Sequence, residues 1–276
     1  MKIKDILLLM SIILVVGGCA TSPQTQKPSP IPSKPAKEVT PAQRDSAKIW
    51  YSVGKDYLNK KQYDAALSNF KKALGYDPNF IQAYLDMGWV YLQKHQFDSA
   101  EVAYRMVAEI NPKDSRGWQG LGFMYGILER DIQKGLEFYS KALEVDPQNN
   151  DARYGMAELL ATAGRLSEAD SLYKEAIKAD PENMGITKSY ALFLSKHERY
   201  EEAIPYLEKA VQYFKDDEDL HKALMEAYIK TGGEDVSVLS KSLDHIQFLL
   251  EKHPGDYSLW TCLLYTSDAA DEGLGV

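Results

Sequence analysis

The sequence predicts an all-α solenoid of stacked antiparallel helix pairs, on two observations. Prolines 78, 112, 147 and 181 recur at intervals of 34, 35 and 34 residues. Before each of them, the same small and aromatic residues return at helix-compatible offsets. A unit of this length holds two helices and a turn. It is too small to bury an apolar face alone, so successive units must stack into one continuous core.

The units can be taken in order. Trp50, Val53, Gly54 and Tyr57 open the first, and Ala66, Phe70, Ala73 and Pro78 close it. The second runs through Tyr84, Met87, Gly88 and Tyr91 to Ala100, Tyr104, Val107 and Pro112. The third has Trp118, Leu121, Gly122 and Tyr125, then Gly135, Tyr139, Ala142 and Pro147, and is one residue longer in its internal turn. The fourth opens less regularly with Met156, Ala157 and Leu160 and closes on Ala169, Tyr173, Ala176 and Pro181. Small residues such as Gly54, Gly88 and Gly122 let the two helices of a hairpin approach closely. Rings such as Tyr57, Phe70, Tyr91 and Tyr104 fill the space between units. Each closing proline lacks an N–H and biases the residue before it away from helix, so it ends the second helix.

Beyond Pro181 the pattern loosens. Ala191, Leu194, Ala203, Leu207 and Ala210 mark a fifth hairpin in which Lys215-Asp216-Asp217-Glu218 makes the outer turn without proline. Pro205 falls early in its second helix, where it costs less than at the centre. A sixth hairpin joins Asp219–Lys230 to Val236–Lys252 through Thr231-Gly232-Gly233, and Pro254 ends it. Tyr257 and Trp260 read as the opening of a seventh unit, residues 257–261. The expected array is therefore residues 46–256, about six hairpins.

These residues fit the W-x2-L-G-x2-Y…A-x3-F…P pattern, and the chain resembles the tetratricopeptide-repeat (TPR) family over Ala47–Trp260. The resemblance implies a right-handed superhelical solenoid that binds proteins. Trp50, Trp118 and Trp260 fall at its framework tryptophan position and are expected in the core.

Residues 1–18 read as an export signal: Lys2 and Lys4, then an apolar run from Ile6 to Val16 far shorter than a bilayer span. Val16-Gly17-Gly18-Cys19 resembles the bacterial lipobox, which implies acylation of Cys19 as the mature N-terminus. Ala20 is not the Asp that retains such lipoproteins at an inner membrane, which implies an outer-membrane anchor facing the periplasm. Residues 19–45 hold Pro23, Pro28, Pro30, Pro32, Pro35 and Pro41, half of the twelve prolines. Such a stretch cannot bury a core and reads as a tether, reaching ~80 Å in polyproline geometry. Residues 262–276, from Cys262 through Tyr265-Thr266-Ser267-Asp268-Ala269-Ala270-Asp271-Glu272, resemble the translation of a sequencing-library adapter. They are set apart from the fold reasoning.

The remaining signals argue against chemistry. A formal charge of −8 disfavours nucleic acid, and two cysteines at opposite ends disfavour a disulfide framework. The sequence carries no Gly-rich phosphate loop, H-E-x-x-H, G-x-S-x-G or paired cysteines. The five histidines, His95, His197, His221, His245 and His253, lack metal-ligand spacing. No catalytic residue, metal or cofactor is expected, and no enzymatic activity.

What the resemblance offers instead is a surface. In related arrays the first helix of each hairpin lines a concave groove that takes an extended peptide or a partner helix. Carried onto this chain, that groove presents Lys48, Tyr51, Lys55 and Asn59 from the first unit. The second gives Gln82, Leu85 and Trp89, the third Arg116, Gln119 and Phe123, and the fourth Tyr154 and Glu158. Tyr51 and Lys55 stand where the carboxylate clamp of the chaperone-binding subclass needs Lys and Asn. Trp89 and Phe123 lie off the framework and suit partner anchors. Lys48, Lys55 and Arg116 make the upstream end cationic, so a partly acidic, aromatic-containing segment is the expected ligand. Together these readings describe a lipid-anchored envelope scaffold or adaptor, resembling lipoproteins that serve pilus or secretion assembly, outer-membrane biogenesis or peptidoglycan-hydrolase recruitment. The alternative is a carrier or sensor of a small glycan or cell-wall fragment.

Overall fold

The computed structural model describes residues 39–233 and 235–273, with side chains as far as residue 266. The export signal, Cys19 and the tether as far as residue 38 lie outside the described residues. Within them the chain forms thirteen α-helices and no strand. The first hairpin pairs α1 (Pro41–Asn59) with α2 (Tyr63–Tyr76), and the second α3 (Ile81–Gln93) with α4 (Phe97–Ile110). The third pairs α5 (Ser115–Phe123), extended by a π-helical turn Met124–Leu128, with α6 (Ile132–Val145). Then follow α7 (Asn150–Thr162) with α8 (Leu166–Ala179), α9 (Met184–Lys196) with α10 (Tyr200–Tyr213), and α11 (Glu218–Gly232) with α12 (Val236–Lys252). Finally α13 (Tyr257–Gly273) packs on α12.

The first helix starts earlier than expected. Thr40 caps α1 by a capping box with Gln43, and Pro41 takes the first helical position. There a missing N–H costs nothing and φ is already helical. The tether expected to run to residue 45 thus gives way to helix at Pro41.

Both kinds of turn follow from local chemistry. At the outer turns Asp77, Asn111, Asp146 and Asp180 precede the closing prolines, and the residue before proline is driven out of the helical region. Asp77, Asn111 and Asp146 have extended backbone and use their side chains to accept the N–H two residues on, at 3.0, 3.1 and 3.0 Å. The fifth outer turn has Lys215 instead of proline yet keeps the main-chain bonds Phe214 N–H to Ala210 and Asp217 N–H to Phe214. At the inner turns Lys61, His95, Gly164 and Glu198 take positive φ (56°, 55°, 76°, 57°). Paired main-chain bonds close these turns, as in Gln62 N–H to Tyr57 and Lys61 N–H to Leu58, at 2.9 and 2.8 Å. This is the Schellman ending of a helix.

The third hairpin is the exception, because of its extra residue. Arg130 holds the positive φ (58°), but the closing bond runs from Asp131 N–H six residues back to Tyr125. The surplus residue is absorbed upstream as the π turn, with Glu129 N–H bonded to Met124 at 3.0 Å. The framework ring Tyr125 therefore keeps its place, and the strain appears in the helix end rather than in the loop.

The core is one aromatic and one small residue per contact. A Cβ on Gly88 would sit 2.6 Å from the Tyr104 ring, so only glycine admits that approach. Phe70, Tyr104, Tyr139 and Tyr173 are buried. Trp118, part-buried, packs against the apolar clusters of both the N-terminal and the central hairpins, which makes the interior continuous. Trp260 departs from its expected core place. It is 46% exposed, since no further described hairpin covers α13, and its indole N–H donates to the Pro254 carbonyl at 3.0 Å.

Candidate partner-binding groove

First helices of successive hairpins touch one another directly: α3 with α5, α5 with α7, α9 with α11. Second helices approach one another less closely. The first helices therefore line the inner face. On it, a step of one repeat carries a residue to its neighbour in a transverse row. Lys48, Gln82, Arg116 and Asp151 form one row, Tyr51, Leu85, Gln119 and Tyr154 the next, and Lys55, Trp89, Phe123 and Glu158 a third.

The rows are stitched to each other across repeats. Tyr51 donates its hydroxyl to Asp86 at 2.7 Å, and burial, then this carboxylate, hold its phenol well above the ordinary value. The Tyr154 and Ser189 hydroxyls hydrogen-bond at 2.9 Å one repeat further on, and burial raises the Tyr154 phenol. Arg116 donates to Gln82 at 3.1 Å, and Asn149 donates to Ser115 and Gln119 at 2.8 and 3.1 Å. Glu158 accepts the buried Tyr173 hydroxyl. Asn59, the last residue of α1, is exposed and takes no part in these bonds.

A pocket of about 550 Å³ opens between α3, α5 and the start of α7. Five of the expected groove residues line it: Gln82, Leu85, Trp89, Arg116 and Gln119. Asp86, Tyr104, Ser115, Gly120, Asp146, Asn149, Asn150 and Asp151 complete the lining. At the register position that Asp86 fills in the second repeat and Ser189 in the fifth, the third and fourth repeats have Gly120 and Gly155, and Gly120 adds no side chain to the pocket. A Cβ there would meet the Tyr104 ring at 2.5 Å, which makes that ring the floor. Trp89 on the wall is 44% exposed, and its ring meets Tyr63 edge-on at 6.2 Å. Phe123, 41% exposed, continues the apolar strip outside the pocket, followed by Ile127 and Leu128 on the π turn.

The expected cationic character does not survive. Lys48 pairs with Asp45, Lys55 with Asp86 at 3.2 Å, and Arg116 with Asp114 at 2.7 Å. The Arg116 hydrogen bond is the main reason that Asp114 is held below the usual carboxylate range. Each cation is thus neutralised by a carboxylate on its own or the next repeat, a partner that the spacing of basic residues alone does not disclose. Among the described residues, no group of three or more His, Cys, Asp or Glu side chains could hold a metal ion.

Comparison with known proteins fits this architecture. A tetratricopeptide-repeat model matches residues 57–122, and the model described as the cytochrome c-type biogenesis protein H TPR domain matches residues 90–221. The chain is a tetratricopeptide-repeat protein. PilF of Pseudomonas aeruginosa has the same fold over 80% of this chain and 97% of its own, with a TM-score of 0.66 at 15% identity. PilW, a widely conserved type IV pilus biogenesis factor, matches over 83% of this chain and all of its own, with a TM-score of 0.65 at 18% identity. Protein bimA of Emericella nidulans is 25% identical over 114 residues, and this TPR chain spans 14% of that protein. Among the described residues of this TPR protein, no helix is long and apolar enough to cross a membrane.

The groove residues that the sequence pattern does not single out are Asp86, Ser115, Asp146, Asn149, Asn150 and Asp151. One signal does find part of them: stepping from Gln82 and Arg116 by one more repeat lands on Asp151. Ser115, Asp146, Asn149 and Asn150 sit at helix starts and caps, and Asp86 lies mid-helix beside Leu85; only the packed array brings them to the pocket.

Proposed function

We propose that this protein is a scaffold or adaptor of the bacterial cell envelope, holding a protein segment in the groove formed by α3, α5 and α7. One observation carries this. An exposed tryptophan and phenylalanine lie in register beside a pocket that the chain does not fill, on the face where the first helices meet. Large apolar side chains off the framework that stay this exposed suit a partner, and tryptophan dominates interface anchors. The Trp89→Ala, Phe123→Ala variant is expected to lose partner capture from crosslinked envelopes while its thermal unfolding shifts little, since both side chains are more than two-fifths exposed. Lost stability with retained capture would make these side chains structural and contradict the proposal.

The anchor belongs to the same reading. Val16-Gly17-Gly18-Cys19 supports acylation at Cys19, a proline-rich tether and an outer-membrane position facing the periplasm. The fold shared with PilF and PilW, the latter a pilus biogenesis factor, favours pilus assembly over outer-membrane biogenesis or hydrolase recruitment. Cys19→Ala is expected to move the protein from the membrane fraction to the soluble one. Unchanged membrane association would remove the anchor from the account.

A second reading rests on the pocket. A volume of about 550 Å³, with polar groups converging on an aromatic wall, also suits a glycan or cell-wall fragment. Thermal stabilisation by muropeptides with no protein captured would favour it.

A further inference from the structure

The charges of the groove point to the chemistry of its occupant. The three cations expected on the inner face are already paired: Lys48, Lys55 and Arg116 each hold a carboxylate. Asp146, Asp151 and Glu158 face no cation among the described residues. The Asp146 carboxylate accepts only the Gln148 main-chain N–H at 3.0 Å and, weakly, the Ser115 hydroxyl at 3.5 Å. The Asp151 carboxylate, exposed in the first turn of α7, makes no hydrogen bond or ion pair among the described residues. Glu158 accepts from the Tyr173 and Tyr154 hydroxyls, both neutral donors. Arg153, on the same helix as Asp151, is drawn to Asn150, to the Pro147 carbonyl and toward Glu175 on α8. The pocket thus has surplus negative charge at one end and the half-exposed Trp89 ring on its wall.

Polar groups that could hold a main chain stand between them. Gln119 uses its carboxamide oxygen to accept from Asn149, which leaves its N–H groups to a ligand carbonyl. A guanidinium or ammonium entering beside Trp89 meets the face of an indole as well as two carboxylates, and both interactions strengthen as water leaves.

We infer that the segment held in this groove is cationic, an extended stretch in which Lys or Arg meets Asp146 and Asp151 while a large apolar residue lies along Trp89 and Phe123. The inference rests on the groove reading proposed above and gives that reading a sign opposite to the one the basic residues suggest in isolation.

A random twelve-residue peptide library displayed on phage, selected against the full chain, separates the two. The selected pool should be enriched in Lys or Arg together with Trp, Phe or Leu. That basic enrichment should vanish against Asp146→Asn, Asp151→Asn, a pair of changes that preserve shape. A selected peptide should bind this variant about tenfold more weakly at low salt, and the gap should narrow as salt screens the charges. A pool rich in Asp or Glu, or one without charge bias, overturns the inference. If Trp89→Ala still abolishes selection in that case, the groove reading stands. Selection indistinguishable between the full chain and Trp89→Ala overturns both.

Discussion

Each inner turn stands on a single residue held at positive φ, and at Lys61, His95, Arg130 and Glu198 that residue is not glycine. An L-residue there carries a steric penalty that glycine lacks, partly offset by the greater freedom of glycine in the unfolded chain. Lys61 is exposed, so its side chain contributes little else. Lys61→Gly is therefore expected to stabilise the fold by about 0.5–1 kcal/mol, read as a higher midpoint at constant slope in urea unfolding. A lower midpoint would show that the turn draws stability from the lysine itself. The same residues show what sequence reading can reach at this scale. Framework positions such as Gly88 and Tyr104 were legible because their sizes repeat. The positive-φ positions were not, since Lys, His, Arg and Glu announce no such conformation. The pairing of Lys55 with Asp86 was hidden for another reason. It joins residues one turn of the array apart, and only the stacking of α1 on α3 brings them together.

At the scale of elements, α5 and the sixth hairpin behave unlike their counterparts. The 35-residue interval between Pro112 and Pro147 disclosed an insertion, but its resolution as a π turn depended on which carbonyl closed the inner turn. Tyr125 kept that role, so the extra residue moved into the helix and Ile127 and Leu128 came to the surface. In the sixth hairpin, His221 and His245 join α11 to α12 with their Nδ1 atoms 3.0 Å apart, and Phe248 stacks on His221 at 3.7 Å. The His221 Nε2 lies 3.0 Å from the Lys215 carbonyl and donates to it, so His221 Nδ1 accepts the His245 N–H when both rings are neutral. Burial first, then His221, hold His245 below its ordinary value of 6.5, against the smaller opposing pull of Asp244 and Glu208. A base with a lowered folded pKa supports the fold above its unfolded pKa and loses that contribution as pH falls below about 6.5 toward the folded value. Stability should therefore decline from pH 7 to pH 5, before the paired carboxylates begin to titrate. His245→Gln should flatten this decline, measured by urea unfolding across that range. An equal decline in the variant would place the cause elsewhere. The spacing of these two histidines, 24 residues apart on different helices, carried no sign of their contact.

The described helices form a stack of pairs whose inner face is made by one helix in two, and the proposed function follows from what that face leaves unfilled. A pocket lies over Gly120 and Tyr104, Trp89 and Phe123 stand half-exposed along it, and carboxylates without a cation gather on its α7 side. The repeat period alone made the stacking and the inner face legible. The sign of the charge there was not, because each basic residue had an acidic partner on its own or an adjacent turn of chain. The claim that this face, and not the outer one, engages a partner can be tested by site-specific photocrosslinking in intact cells. A photoreactive phenylalanine analogue in place of Phe123 should give a discrete protein adduct, and the same analogue in place of Tyr76, exposed on the outer helix α2, should give none. Adducts from position 76 with none from position 123 would contradict the account.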